Sequence, residues 1–244
     1  MFQAAYPLLA IAGIVLSSMI WSRLLRRDGS GHDYRMELIY IIALCGAFVG
    51  AKLVYFLAEG WHALVDPALT REQIAANLLT GKTITGALLG GYVSVELAKK
   101  WMGYTKTTGD FFAVVAPFGL MLGRVGCFIQ ECCPGVTMEP HWYTMLDAHG
   151  ISRWPAVPLE FAFNFVFFVA AFVMFKRRIL PGQLFHAYLI AYGLFRFAHE
   201  FLRDTPALAW GITGYHLAAI AIFVLGAARF AQRARAAQAL TGGA

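Results

Sequence analysis

Apolar residues dominate seven stretches of the chain, at residues 4–21, 38–58, 83–98, 111–129, 159–175, 184–202 and 207–228. A bilayer core of about 30 Å takes roughly 20 apolar residues of helix, so each stretch predicts a transmembrane helix. The fold class expected is therefore an all-α integral membrane protein of about seven transmembrane helices. A single polytopic domain should cover residues 1–230, and the Ala-rich, basic stretch 231–244 is expected to be a disordered cytoplasmic tail. The third stretch is short and carries Gly86, Gly90 and Gly91. In a membrane helix such glycines permit close backbone approach, and in an incomplete helix they permit a re-entrant turn.

Composition agrees with the pattern. Of 244 residues 59% are hydrophobic and only 14% charged, with a mean hydropathy of +0.60, which excludes an ordinary soluble domain. A net charge of +6 would point to nucleic acid in a soluble protein, but in a polytopic one it reports cytoplasmic loops, so no nucleic-acid partner is expected. With seven spans, thirteen of the 20 Lys and Arg fall on the side of the C-terminus. Only Arg71, Lys82, Arg153 and Arg203 fall on the other, which predicts an external N-terminus and a cytoplasmic C-terminus. Residues 1–6 lack the basic start of a cleavable signal peptide, so the first span should stay attached. The long segments 59–81 and 133–158 then face outward, and the chemistry with them.

Charged residues inside the spans carry the functional signal. An intramembrane arginine costs about 2.5–3.5 kcal/mol to insert and is by default paired and functional; Arg124 and Arg196 both qualify. Tyr192, Arg196 and Glu200 recur every four residues and share one helix face, with His199 and Arg203 beside it. The bland reading is an Arg196–Glu200 pair gluing helices together; the functional one is an anion or acid–base site that Lys52 and Glu160 could complete, unless Lys52 snorkels to the interface. Several guanidinium and ammonium groups around one interior point toward phosphate. Residues 123–135, GRVGCFIQECCPG, add Glu131 and the thiol cluster Cys127, Cys132 and Cys133. These thiols admit a disulfide, a reactive thiolate near Arg124, or simple packing. Zinc would need a fourth ligand such as His141 or His149 at an unusual spacing, so no metal is expected, and no motif calls for a cofactor.

At this point the residues resemble a family, the bacterial prolipoprotein diacylglyceryl transferases, over nearly the whole chain. The resemblance rests on Asp110-Phe111, Ala116-Pro117-Phe118-Gly119-Leu120, and Gly123-Arg124-Val125-Gly126-Cys127-Phe128, similar to a GRxGNF signature. It continues in Pro181-Gly182-Gln183-Leu184-Phe185, in Tyr192-Gly193-Leu194-Phe195-Arg196-Phe197 and in Glu200-Phe201-Leu202-Arg203. Weaker echoes are Tyr6, Lys52, Tyr55 and Pro155 to Glu160.

The resemblance implies a multi-pass enzyme of the bacterial inner membrane, open to the outer leaflet. Its substrates would be phosphatidylglycerol and a lipobox-containing preprotein, whose cysteine thiol receives the diacylglyceryl group. It implies that Arg124 and Arg196 hold the phospholipid headgroup, supported by Tyr192 and Glu200, with Gly123, Gly126, Glu160, Lys52, Tyr6 and Tyr55 around the substrate. The sequence departs from the family pattern at Thr85, where a histidine is usual, and at Cys127 and Cys132, where an Asn and an acidic residue are usual; His199 or Glu131 would then replace the missing base. A phospholipid-binding or -translocating protein without covalent chemistry, or a membrane thiol redox protein, are the competing readings. Replacing the three cysteines by serine separates them: a redox protein loses everything, a lipid binder little.

Overall fold

A computed structural model describes residues 5–28, 33–208 and 210–241. It is helical almost throughout: α1 Ala5–Asp28, α2 Tyr34–Tyr55 closing in a π-helical turn Phe56–Gly60, α3 His62–Val65, α4 Arg71–Thr80, α5 Ile84–Trp101, α6 Gly109–Ile129, α7 Ala156–Lys176, α8 Leu184–Glu200 and α9 Gly214–Thr241. A two-stranded antiparallel ribbon, β1 Met145–Leu146 with β2 Ser152–Arg153, lies between α6 and α7.

Among the described residues, five helical stretches are long and apolar enough to cross a bilayer: Leu8–Asp28, Tyr34–Gly60, Gly109–Ile129, Ala156–Lys176 and Gly214–Ala236. Their outward faces carry large apolar side chains, such as Leu8, Ile11 and Val15 on α1 and Phe165, Val166, Val169 and Val173 on α7. Such a surface aggregates in water and is stable against lipid. The other two predicted spans fall on α5 and α8, of 18 and 17 residues. At 1.5 Å per residue these reach only about 26–27 Å. The Gly-rich segment is one unbroken helix in α5, not a re-entrant turn. At the far end, α9 stays helical to Thr241, past its apolar run, over a stretch rich in the strong helix formers Ala, Gln and Arg.

The glycines of α5 serve close packing. A Cβ on Gly50 of α2 would meet the Gly86 carbonyl oxygen and, at 2.7 Å, the Gly90 Cα; one on Gly46 would meet Ser94 and the Gly90 carbonyl. Gly46 and Gly50 thus face Gly86 and Gly90 as two small-xxx-small pairs that bring the backbones together. Gly50→Val is expected to destabilise the protein by at least about 1–3 kcal/mol, because the obstacle is backbone and no side chain can yield. Thermal unfolding in detergent checks this, and an unchanged midpoint refutes it.

The Pro181-Gly182-Gln183-Leu184 motif does structural work at one end of the bundle. Asp110, in the first turn of α6, accepts hydrogen bonds from the Gly182 and Leu184 amides, and so caps the start of α8. Arg233 and Gln183 tie the same turn to α9. The aromatic core above it stacks Trp21 on Tyr40 at 4.8 Å, with Phe111 and Phe112 against the indole.

At the opposite end the loop after α6 is stitched to the segments beside it. Gly135 bridges to Arg203 and Thr137 to Arg153, and the Val136 amide donates to the Leu202 carbonyl while its own carbonyl accepts from Trp154. A Cβ on Gly135 would collide with Trp154, so only glycine fits this crossing. Arg153 bonds Asp147, Asp204 and the Gly135 carbonyl. The Arg153 guanidinium, then the Ile151 amide, hold the Asp147 carboxyl below the usual carboxylate range. A depressed carboxylate contributes stability that is whole above about pH 4 and is lost as pH falls through its lower folded value. Hydrogen exchange of the Ile151 amide is therefore expected to be protected evenly from pH 7 to 5 and to lose protection only in stronger acid; a loss between pH 7 and 5 would contradict this.

Candidate active site

The stitched loops bring the ends of α6, α7 and α8 together, and each supplies one part of a buried polar cluster. Glu160, in the second turn of α7, is its centre. One of its carboxylate oxygens, Oε2, lies 2.6 Å from Arg124 Nη2, 3.7 Å from Arg196 Nη1 and 3.6 Å from Arg203 Nη1. The other, Oε1, accepts a 2.7 Å hydrogen bond from the Tyr192 hydroxyl. Glu200 is the second anion. Arg196 Nη2 lies 2.6 Å from it and Arg203 Nε 3.8 Å, while the hydroxyls of Thr205 and Thr213 donate to its Oε1. Asn164 and Tyr188 extend the network along α7 and α8, the amide donating to the Glu160 carbonyl and accepting from the tyrosine.

All five charged groups are withdrawn from water, Glu160 and Glu200 at 0 and 1% exposure. Three guanidiniums face two carboxylates, so the cluster carries one net positive charge in a low-dielectric interior. Its donors also outnumber its acceptors. Arg196 Nη1 and Arg203 Nε and Nη1 reach Glu160 Oε2 and Glu200 Oε2 only at 3.6–3.8 Å, too long for hydrogen bonds, so these buried donors, like the two oxygens they face, have no hydrogen-bond partner among the described residues, although nearly all buried polar groups in native proteins have one. An interior that is positively charged, with N–H groups held only in long ion pairs, has the chemistry to accept an oxyanion.

Not every residue read from the sequence joins this cluster. Arg124, Arg196, Tyr192, Glu160 and Glu200 do. His199 is buried beside them, stacked on Phe195 at 5.0 Å, with neither ring nitrogen hydrogen-bonded among the described residues. The Lys52 ammonium instead caps the end of α4, donating to the Leu78 and Leu79 carbonyls. Tyr55 packs its ring over Gly81 and Gly60. Glu131 is exposed on the turn after α6 with φ of 51°, away from the ion pairs. The Tyr6 side chain lies outside the described residues. Gly126 is buried within α6, and Gly123 borders an apolar cavity of about 290 Å3. Small and aliphatic residues of α1, α2, α5 and α6 wall most of this cavity, with Gly123 in its lining together with Tyr92, Phe185 and the polar Glu96, His186 and Arg233.

The thiols form a second cluster next to the first. Cys127, Cys132 and Cys133 place their Sγ atoms within 4.8 Å of one another and are not disulfide-bonded. Arg124 Nη1 lies 3.8 Å from the Cys127 Sγ.

Sequence reasoning set Arg203 beside the polar face without giving it a site role, and left out Asn164, Tyr188, Tyr215 and Glu59. Arg203 lies three residues after Glu200, on the face already identified, and that spacing was the available signal. Tyr215 sits near the Arg196 guanidinium, 5.9 Å from ring centre to Cζ, and donates to Glu59 at 2.6 Å. Lys82, between α4 and α5, was also unforeseen; burial, then Lys52, pushes its ammonium down, and the three thiols oppose them.

Comparison with known proteins decides the affiliation. The profile of prolipoprotein diacylglyceryl transferases matches residues 3–232. The chain belongs to this family. Among curated relatives, the phosphatidylglycerol–prolipoprotein diacylglyceryl transferase of Mannheimia succiniciproducens is 26% identical over 208 residues, covering 83% of this chain and 76% of its own. That of Pseudomonas paraeruginosa is 29% identical over 219 residues, 84% and 79% of the two chains. That of Pasteurella multocida is 25% identical over 217 residues, 87% and 79%. The prolipoprotein diacylglyceryl transferase match spans α1 to α9 and includes every member of both clusters.

Proposed function

We propose that this transferase moves the diacylglyceryl group of phosphatidylglycerol onto the cysteine thiol of a lipobox-containing preprotein at the outer leaflet of the bacterial inner membrane. In this reading α5 and α8 also cross the bilayer, giving seven spans, with the N-terminus outside and the basic C-terminus in the cytoplasm. The headgroup phosphate sits among Arg124, Arg196 and Arg203, and an acyl chain occupies the apolar cavity that Gly123 helps to line. Tyr192 and Glu200 hold Glu160 and Arg196 in place.

The observation that carries this reading is the convergence of three buried guanidiniums on one Glu160 oxygen, two of them only at 3.6–3.7 Å. Chemically the substrate thiolate attacks the glycerol carbon that bears the phosphate. A C–S bond forms, the C–O bond breaks, and glycerol phosphate leaves with the electron pair. The guanidiniums stabilise charge developing on the departing phosphate, a contribution of about 2.7–4 kcal/mol per well-placed donor in acyl-transfer enzymes. Of the two bases read from the sequence, His199 has buried, uncommitted ring nitrogens at the cluster and Glu131 faces solvent, which favours His199 as acceptor of the thiol proton.

The test is mass spectrometry of purified protein incubated with phosphatidylglycerol and a lipobox peptide, with Arg196→Ala in parallel. Diacylglyceryl peptide and glycerol phosphate, both lost in Arg196→Ala, are expected. Phospholipid that copurifies in an Arg196-dependent way, with neither product formed, would instead favour the non-catalytic lipid binder.

A further inference from the structure

The transfer reading leaves three thiols unused, although they lie beside the phosphate cradle. We infer that Cys127, Cys132 and Cys133 form a site for a thiophilic divalent metal of the zinc class, whose fourth coordination position receives the acceptor thiol. This rests on the transfer reading above.

The geometry fits. Zinc–sulfur bonds of about 2.3 Å in a tetrahedral site set the sulfurs about 3.8 Å apart, and the three Sγ atoms already lie within 4.8 Å of one another. Rotamer adjustments of about 1 Å close the difference. The backbone is shaped for this convergence. Glu131 and Cys133 both take left-handed conformations, φ 51° and 64°, uncommon for side-chain-bearing residues, and the Cys132 amide donates to the Cys127 carbonyl at 3.1 Å. The turn so made folds Cys132 and Cys133 back over Cys127 at the end of α6.

Charge fits as well. Three thiolates around a divalent cation leave one negative charge, and the Arg124 guanidinium lies 3.8 Å from one of the sulfurs. The expectation of no metal rested on the want of a fourth protein ligand. None of the described His, Cys, Asp or Glu joins the three. Three protein ligands with one open position is, however, the arrangement of catalytic zinc, whereas structural zinc is closed by four. Cys132 and Cys133 are only half-buried, so the open position can be reached.

The consequence is chemical. A thiol that coordinates zinc loses its proton outright, and thiolate is the nucleophile that displacement of phosphate needs. Coordination of the acceptor thiol makes a metal–sulfur bond and passes the proton to His199, the acceptor assigned above. The coordinated sulfur then forms the C–S bond as the C–O bond breaks, and the metal is free again with no change of oxidation state. Arg124 joins the two halves: Nη2 lies on Glu160 in the cradle and Nη1 beside the Cys127 sulfur.

The test uses the full chain in detergent under reducing conditions, stripped with a chelator and titrated with Co2+ as a spectroscopic probe. About one ion per chain is expected, with thiolate-to-cobalt charge transfer and tetrahedral ligand-field bands. These bands should shift when a lipobox peptide is added and stay unchanged with the same peptide carrying serine for cysteine. Cys127→Ser, Cys132→Ser and Cys133→Ser should each abolish the charge transfer, and Cys45→Ser, on α2, should preserve it. In wild type, where folding is not in question, chelation should lower transfer at least about tenfold and zinc should restore it. No charge transfer, a spectrum that survives all three variants, or bands indifferent to the peptide thiol would each overturn the inference. Full transfer by the chelated enzyme would overturn it and leave the transfer reading standing. A peptide-sensitive cobalt spectrum without product would sink the transfer reading while the metal site remains.

Discussion

Arg124→Lys is expected to lower diacylglyceryl transfer by about 10²- to 10³-fold while the protein still folds. The size of the effect follows from what one guanidinium does at this position. Its Nη2 lies 2.6 Å from Glu160 and its Nη1 faces the Cys127 sulfur at 3.8 Å, so its planar fork holds the cradle and the thiol cluster in a fixed relation. An ammonium can keep the Glu160 contact, which preserves charge balance, but it is a single point charge and cannot also present a second donor in the same plane. Arg124→Ala should cost at least as much activity and in addition destabilise the fold, because the Glu160 carboxylate would lose its closest partner. Single-turnover formation of diacylglyceryl peptide measures the chemical step directly. A fall in kcat/KM carried mainly by kcat would mean that Arg124 acts in the transition state. Activity of Arg124→Lys within threefold of wild type would remove Arg124 from the cradle.

Much of this site was legible in the sequence, for reasons that differ residue by residue. The face of α8 could be read because helical period is strict: Tyr192, Arg196 and Glu200 fall on one line whatever the neighbours do. Arg124 and Glu160 were conspicuous because charge inside an apolar run demands a partner. Pairing between helices was not legible, since no spacing rule relates residue 124 to residue 160 or 203. Arg203 was accordingly counted on the outer side and set beside the polar face of α8, but its contact with Glu160 on α7, which the bridge from Gly135 to Arg203 accompanies, had no signal. The same gap explains Lys52, whose position in an apolar run signalled a polar partner but not that the partner would be the carbonyl end of α4. For Glu59 and Tyr215, 156 residues apart and joined by one hydrogen bond, no local signal existed at all. The fold shows a similar division. Helices follow from apolar runs, yet α5 and α8, of 18 and 17 residues, are not among the five stretches long and apolar enough to cross. Their polar or small residues are what packing and the candidate site require, and the same residues weaken the apolar signal that predicts a span.

Glu160→Gln tests the cradle from the opposite side, through ligand-dependent stability. Glutamine keeps the shape of the side chain but not its charge, leaving three buried guanidiniums to Glu200 alone. Its geometry is also frustrated. If the amide oxygen stays on the Tyr192 hydroxyl, as Glu160 Oε1 does, the NH2 group takes the place of Oε2 and points donors at the donors of Arg124, Arg196 and Arg203. If the amide flips, the tyrosine hydroxyl loses its acceptor. Breaking a buried ion pair in this way costs about 3–5 kcal/mol, a fall in melting temperature on the order of 10 °C for a chain of this length. The unbalanced positive charge should nevertheless bind an anion more avidly than before. Phosphatidylglycerol is therefore expected to raise the melting temperature of Glu160→Gln more than that of wild type, and zwitterionic phosphatidylcholine should not. Equal stabilisation of both proteins by phosphatidylglycerol would mean that the headgroup binds elsewhere and that the guanidiniums around Glu160 only hold helices together. An enhanced, anion-specific rescue would place the phosphate against the groups that Glu160 neutralises. Glu160 would then act as the cradle's built-in counterion, keeping three arginines folded together until a phosphate shares their charge.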